Sequence, residues 1–364
     1  MQFALYLFIN LLFVCKYSLR ISLPVAAVCC VVYTVFAFLL WKYRLKISGK
    51  WLWKGFVLAC VLLLVGQYSI DPYTLNVDRW SAIHNQLGRL FSGVYPVDVR
   101  THLGHFTSPF PVWTVLHAPF YGLGNVSLAV FPEFFAFVYS LKRLFGADVA
   151  ARATALMGLS PAFVYEVLVR SDLLYNMLFV AAFINFLRLY EKQLVRNWVV
   201  VGVFCGLVLS SRLSILAPMM IYLLPWWARI GGKRQILFPL IAGLSFAFTF
   251  LPFIVWDAHA FFYGYNPFTL QTFRGHPSDF ALLLPLLLLA AFSWKGNYVR
   301  CNALAGWWLF VAIAVTFIHT MWQDDNFLSL FSSAYDITYL DMGLPFITVS
   351  MAARFVVEKK SVGG

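Results

Sequence analysis

Residues 22–41 read SLPVAAVCCVVYTVFAFLLW, twenty positions without a charge. A helix of that length rises about 30 Å, which is the thickness of a bilayer's hydrocarbon core. The hydrophobicity is continuous rather than alternating. Such a run satisfies its backbone in lipid as a helix, not as a barrel strand. Comparable runs recur along all 364 residues, of which 62% are hydrophobic and 12% charged, with a mean hydropathy of +0.78. A soluble chain needs more charge than this to cover its surface. The pattern predicts an all-α polytopic membrane protein of about twelve spans, at 3–15, 22–41, 55–70, 124–144, 148–168, 173–190, 198–211, 213–228, 235–256, 279–293, 303–320 and 336–356. The first run lacks a basic leader and a small-residue cleavage site, so it reads as a retained helix.

The charges give the chain a direction. With the N-terminus and C-terminus in the cytoplasm, nineteen of the 27 Lys and Arg fall on the cytoplasmic side of the predicted spans, as retention of basic loops requires. This loop bias accounts for the net charge of +12 without a nucleic-acid partner. Ten aspartates, among them Asp71, Asp78, Asp172, Asp336 and Asp341, gather on the other side. A polar substrate handled outside the cytoplasm explains that bias. The six cysteines sit mostly within apolar runs, with neither metal-ligand nor disulfide spacing, and read as packing residues.

The stretch 71–124 is too polar to span and too apolar to leave the membrane. From Asp78 to Val94, the residues Trp80, Ile83, Leu87, Leu90, Phe91 and Val94 recur at helical spacing opposite Arg79, Asn85, Gln86 and Arg89. That is the pattern of a helix lying in the interface. A second such segment is predicted at 111–121, after an irregular stretch that carries His102 and His105.

Several motifs in and after this loop resemble the GT-C class of membrane glycosyltransferases, which use polyprenyl-phosphate sugars and include many mannosyltransferases. They are Asp78-Arg79-Trp80-Ser81-Ala82-Ile83, Phe91-Ser92-Gly93-Val94-Tyr95-Pro96 and Ser108-Pro109-Phe110-Pro111. Leu141-Lys142-Arg143-Leu144-Phe145-Gly146, Arg170-Ser171-Asp172-Leu173-Leu174 and Gly206-Leu207-Val208-Leu209-Ser210-Ser211-Arg212 continue the series. The resemblance covers residues 60–220. It implies a catalytic acid at Asp78, opening an interfacial helix just after an early span, and an outer acidic site at Asp172. Two features depart from the pattern. Many relatives carry a second acid beside or two positions after the first, where this chain has Arg79 and Trp80, which leaves the need for a divalent cation open. An additional N-terminal hairpin precedes the loop-bearing span. The resulting division is a hairpin with a basic loop at 1–54, a GT-C-like core at 55–228 with its catalytic loop at 71–124, and C-terminal helices with substrate-binding loops at 229–364.

Glycosyl transfer needs a base for the acceptor hydroxyl and cationic or dipolar relief for the leaving phosphate. Asp78 is the expected base, with Asp71 and Asp172 as alternatives. Arg79, Arg100, Arg170, Arg212, Arg274, His102 and His105 form the pool for phosphate contacts. Asp336, Tyr339 and Asp341 are candidates for substrate binding, and the acidic stretch 335–341 suits sugar hydroxyls or a divalent ion. Each residue also has a plainer role. Asp78 suits an N-cap, Asp71 before Pro72 a turn, and Asp172 the positive end of a helix. His102 and His105 suit a solvated loop, and outer aromatics such as Tyr265 suit interfacial anchoring. Glu133 falls in the middle of a predicted span.

No P-loop or dinucleotide fingerprint is present, so a donor would arrive on lipid. The expected partners are a polyprenyl-phosphate-linked sugar donor, a glycan, lipid or protein acceptor, and the bilayer itself. Transfer is expected to invert the anomeric carbon at the outer or periplasmic face. A bacterial inner membrane and an endoplasmic reticulum both fit, the compact chain favouring the former. Two other readings stand beside this one. A transporter or flippase for lipid-linked saccharides would carry charged or broken helices at mid-membrane in two related halves. A glycan ligase or polymerase would use the same face and the same lipid.

Overall fold

The computed structural model describes residues 1–43, 48–191, 196–264, 266–272, 275–331 and 336–361. Regular structure among them is helical, apart from one isolated bridge between Arg100 and Phe106. Three apolar helices open the chain: α1 (Gln2–Ser18), α2 (Leu23–Lys42) and α3 (Gly49–Tyr68). Helix α4 (Arg79–Phe91) and the short α5 (Pro111–Leu116) and α6 (Ala118–Gly122) form the large loop. A central group follows, comprising α7 (Val130–Phe145), α8 (Ala147–Gly158), α9 (Pro161–Leu168) and α10 (Leu173–Leu189). Next come α11 (Trp198–Leu209), α12 (Leu216–Ile230) and α13 (Lys233–Trp256), then the short α14 (Ala258–Tyr263) and α15 (Pro267–Thr272). The chain closes with α16 (Pro277–Ser293), α17 (Tyr298–Gln323) and α18 (Leu344–Ser361).

All twelve predicted segments contain helix, but they are not twelve spans. Among the described residues, five helices are long and apolar enough to cross a membrane, or up to seven when each of two bent pairs counts as one. The reason is local. Segment 148–168 breaks at Leu159-Ser160-Pro161, because proline lacks the N–H that would continue α8. There the Ser160 hydroxyl caps α9 by accepting from Phe163 N at 3.3 Å. Helices α9 and α10 then meet at 113°. Glu133, expected at mid-span, lies in the first turn of α7, where the helix dipole favours an acid. Residues 210–212 form a turn between α11 and the single-turn 3-10 start of the next helix.

Burial separates two kinds of helix. α2, α3 and α13 bury only 17% of their apolar windows and expose Val28, Val31, Leu62, Val65, Leu244 and Phe248, a surface suited to lipid tails. From Leu173 to Leu187 no residue of α10 is exposed, and only the stripe Phe179, Phe183 and Phe186 is less than fully buried, as suits a largely apolar helix inside a bundle. It packs on α7 and α18, while α8 packs on α3 and α18. This is the architecture of a multi-pass helical membrane protein.

Close helix crossings rest on small residues, as is usual where lipid removes the hydrophobic drive for association. A Cβ on Gly206 of α11 would stand 2.6 Å from Ser245 Cβ and would strike the Ala242 carbonyl of α13. Gly206→Ala is therefore expected to cost about 1–3 kcal/mol through overpacking. Thermal unfolding in detergent checks this, and an unchanged midpoint would show that α11 and α13 part easily.

Helix α4 runs over 79–91, within the predicted 78–94, but it meets different surroundings. Trp80, Ile83 and Leu87 are buried in the main core while Phe91 and Val94 are exposed. Its apolar stripe packs inward, on α5, α6 and the 3-10 turns Pro72–Thr74 and Val126–Ala129. The second predicted segment divides at His117 into α5 and α6, with Pro119 in the first turn of α6.

Candidate functional site

The α9–α10 bend turns on Val169-Arg170-Ser171-Asp172. Arg170 adopts φ 57°, a left-handed conformation that costs a non-glycine residue about 1 kcal/mol or more. Its guanidinium offsets that strain by donating from Nη2 to the Gln67 and Ile70 carbonyls at 2.8 and 3.2 Å. Arg170 thereby ties the end of α3 to the bend and is not presented to a ligand.

With the bend held, Asp172 points into the protein, fully buried. Arg212 Nη2 donates to both of its oxygens at 2.6 Å, and the Trp113 indole donates to Oδ2 at 2.7 Å. Arg79 Nε stands 4.0 Å away. Arg79 itself reaches in from the start of α4, where Nη1 donates to Ser171 Oγ at 2.8 Å and Thr338 Oγ1 at 2.9 Å, and Nη2 donates to Asp336 Oδ2 at 2.6 Å. The Tyr339 ring lies under the guanidinium at 4.9 Å. Asp336 caps the short 3-10 turn Ile337–Asp341, its Oδ1 accepting from Thr338 N and Oγ1. Two acids and two arginines thus form two paired charges, the arrangement that makes buried ions tolerable.

Further acids crowd the same place. Glu166 Oε2 accepts from Leu174 N at 3.2 Å, whereas Glu166 Oε1 and both Asp341 oxygens are buried without a hydrogen-bond partner among the described residues. Burial, and then the nearness of Glu166 and Asp336, pushes the Asp341 carboxyl well above the usual range, so that it favours its neutral form. Asp336 shifts the other way. Burial alone would raise it, but the Arg79 guanidinium and the Thr338 hydrogen bonds hold it below the ordinary carboxylate value.

A depressed folded-state pKa contributes stability that is full above the unfolded value, about 4 for Asp, and is lost as pH falls through the lower folded value. Wild type is expected to lose this increment on acidification below about pH 4, and Asp336→Asn to lack it throughout. Parallel acid titrations of stability test this, and identical curves would remove the contribution.

The expected base sits at the edge of this cluster. Asp78 is the residue before α4, yet its side chain caps nothing. Instead Oδ2 accepts from Thr101 Oγ1 at 2.7 Å and meets His105 Nδ1 at 2.8 Å, which leaves Oδ1 unclaimed among the described residues. Asp78 is 21% and His105 71% exposed at the side chain. The 101–105 turn that presents them is held by Arg100, which donates to the Gly104 carbonyl at 2.9 Å and covers the Phe106 ring. His102 is likewise committed, between Ser81 Oγ at 2.7 Å and the Leu75 carbonyl at 2.9 Å. Asp71 is exposed and forms a turn, accepting from Tyr73 N at 3.0 Å.

The structure therefore brings together Arg79, Asp172, Arg212, Asp336, Tyr339 and Asp341, with Asp78 and His105 beside them at the head of α4. Arg100, Arg170 and His102 serve as braces, and Asp71 stands apart in its turn. Arg274 and Tyr265 lie outside the described residues. Sequence reasoning missed Trp113, Ser171, Thr338 and Lys16. Ser171 and Thr338 lie inside segments that were singled out, but a hydroxyl carries no signal of its own. Lys16 comes from α1, which packs against the 337–341 turn. It is buried, and its Nζ donates to the Leu330 carbonyl at 3.0 Å. Among the described residues, no group of three or more His, Cys, Asp or Glu side chains is arranged to hold a metal ion.

Two turns along α4 from Arg79, about 10 Å, Gln86 leads into an apolar groove lined also by Leu90, Val97, Pro109, Thr114 and Phe250. Its cavity of about 30 Å³ is narrow, with room for one or two waters. Gln86 is fixed at its rim by Thr107 and Thr114, at 2.7 and 2.8 Å.

No family model, curated protein or solved structure matches this chain.

Proposed function

We propose that this chain is a membrane glycosyltransferase that moves a hexose or pentose, mannose or one like it, from a polyprenyl-phosphate carrier to a glycan, lipid or protein acceptor. The reaction runs at the outer face, and Asp78 is the base. The observation that carries this reading is the Asp78 carboxylate. It stands where an N-cap would be yet makes no cap, one oxygen held by Thr101 and His105 and the other open. A group oriented in that way can take a proton from an acceptor hydroxyl during inverting attack.

Two features support a lipid-borne donor. The charged cluster at the start of α4 and the apolar groove two turns along it place polar and apolar surfaces in line, an order suited to a phosphate head with a prenyl tail. A prenyl chain would enter by parting α5 from α13. The GT-C resemblance of 60–220 points the same way.

The test is transfer by the purified chain from a panel of synthetic polyprenyl-phosphate sugars to glycan, lipid and peptide acceptors. Transfer from at least one donor is expected. Silence across the panel from folded protein would sink the enzyme reading and make flipping of lipid-linked saccharides the next assay.

A further inference from the structure

We propose that Asp336 stands in for a phosphate group: its carboxylate fills an anion site at the Nη2 edge of Arg79, whose guanidinium Ser171 and Thr338 hold in place, and a phosphate ester binds there by displacing it. This rests on reading the chain as one that handles polyprenyl phosphates.

The Arg79 guanidinium is locked before any ligand arrives. Ser171 and Thr338 accept from Nη1, and Tyr339 covers one face, so its Nη2 edge is directed to a single place. Asp336 Oδ2 occupies that place at 2.6 Å. The two partners differ in access, the Asp336 side chain being 36% exposed and that of Arg79 11%. A solute approaching from outside reaches the carboxylate first and the arginine only behind it.

Asp336 is also built to let go. Its other oxygen accepts from Thr338 N at 3.1 Å and Thr338 Oγ1 at 2.6 Å, so the turn keeps its cap when Oδ2 leaves Arg79. A carboxylate freed in this way swings towards water, where its desolvation cost falls. The incoming phosphate offers more charge and more acceptor oxygens to the same guanidinium edge. Asp341, favouring its neutral form, adds little opposing charge.

An internal competitor lowers apparent affinity by the fraction of time the site is blocked. The experiment measures binding of sugar-free polyprenyl phosphate, inorganic phosphate and uncharged polyprenol to the full chain in nanodiscs. Asp336→Asn is expected to tighten polyprenyl phosphate about tenfold and leave polyprenol unchanged, and adding Arg79→Gln is expected to erase the gain. Asp336→Ser, which keeps a hydroxyl acceptor for the turn, provides a second variant should the first misfold. Tightening for the lipid phosphate alone identifies the carrier as occupant. Equal tightening for inorganic phosphate identifies a free phosphate at the same site. Unchanged or weaker binding in both folded variants, or equal tightening for polyprenol, overturns the proposal. The readout needs no sugar transfer. A chain that binds in this manner yet transfers nothing loses the enzyme reading alone, and one that transfers without this response loses the inference alone.

Discussion

Purified Asp78→Asn protein is expected to keep its fold and to lose sugar transfer by roughly a hundred- to ten-thousand-fold, the usual worth of a positioned acid–base group. The substitution is close to isosteric. The amide oxygen can still accept from Thr101 Oγ1 and His105, the two contacts that hold the wild-type carboxylate. No capping bond is lost, because the Asp78 side chain makes none. The loss should fall on kcat, with donor affinity little changed, since the proton moves only during attack. Robust transfer by the folded variant would place the base elsewhere. Asp71 would then be tested before Asp172, because Arg212 and Trp113 already occupy both Asp172 oxygens.

Asp172→Ala should have the largest effect on stability. It leaves Arg212 buried with its charge unmatched and the Trp113 indole N–H without an acceptor. Breaking a buried pair from one side typically costs roughly 3–5 kcal/mol. Removing Arg212 as well, as Asp172→Ala with Arg212→Leu, should recover part of the loss, and the four proteins of that cycle measure the coupling. Thermal or denaturant unfolding in one detergent is the readout. A single mutant within about 1 kcal/mol of wild type would mean that water reaches Arg212 and that the site is open where the structure has it closed.

The sequence could say which side chains are chemically able to act, but not which of them are spent on structure. Arg79, Arg100, Arg170 and Arg212 look alike as residues in polar gaps between apolar runs. The structure divides them: Arg170 bonds to two carbonyls, Arg100 to one, and only Arg79 and Arg212 meet carboxylates. The histidines divide in the same way, His102 being tied at both nitrogens while His105 stands exposed against Asp78. These outcomes depend on which loops touch, and periodicity holds no information about that.

What the sequence determined by itself is everything that depends on local composition: helices throughout, residence in a membrane, the polar stretch at 71–124 and the amphipathic run that became α4. Apolar length and period are enough for these, because lipid leaves a chain so few ways to satisfy its backbone. The number of full-length spans was beyond it. Whether a proline break ends a helix between two spans or folds one span back at 113° is settled by what packs around the break. The site was beyond it too. Ser171 and Asp172, Arg212, Asp336 and Arg79 lie far apart in the chain, and they meet only because the α9–α10 bend turns two of them inward, towards the start of α4 and two separate turns. Burial then decides their chemistry, since a charge far from water must find its partner inside the protein.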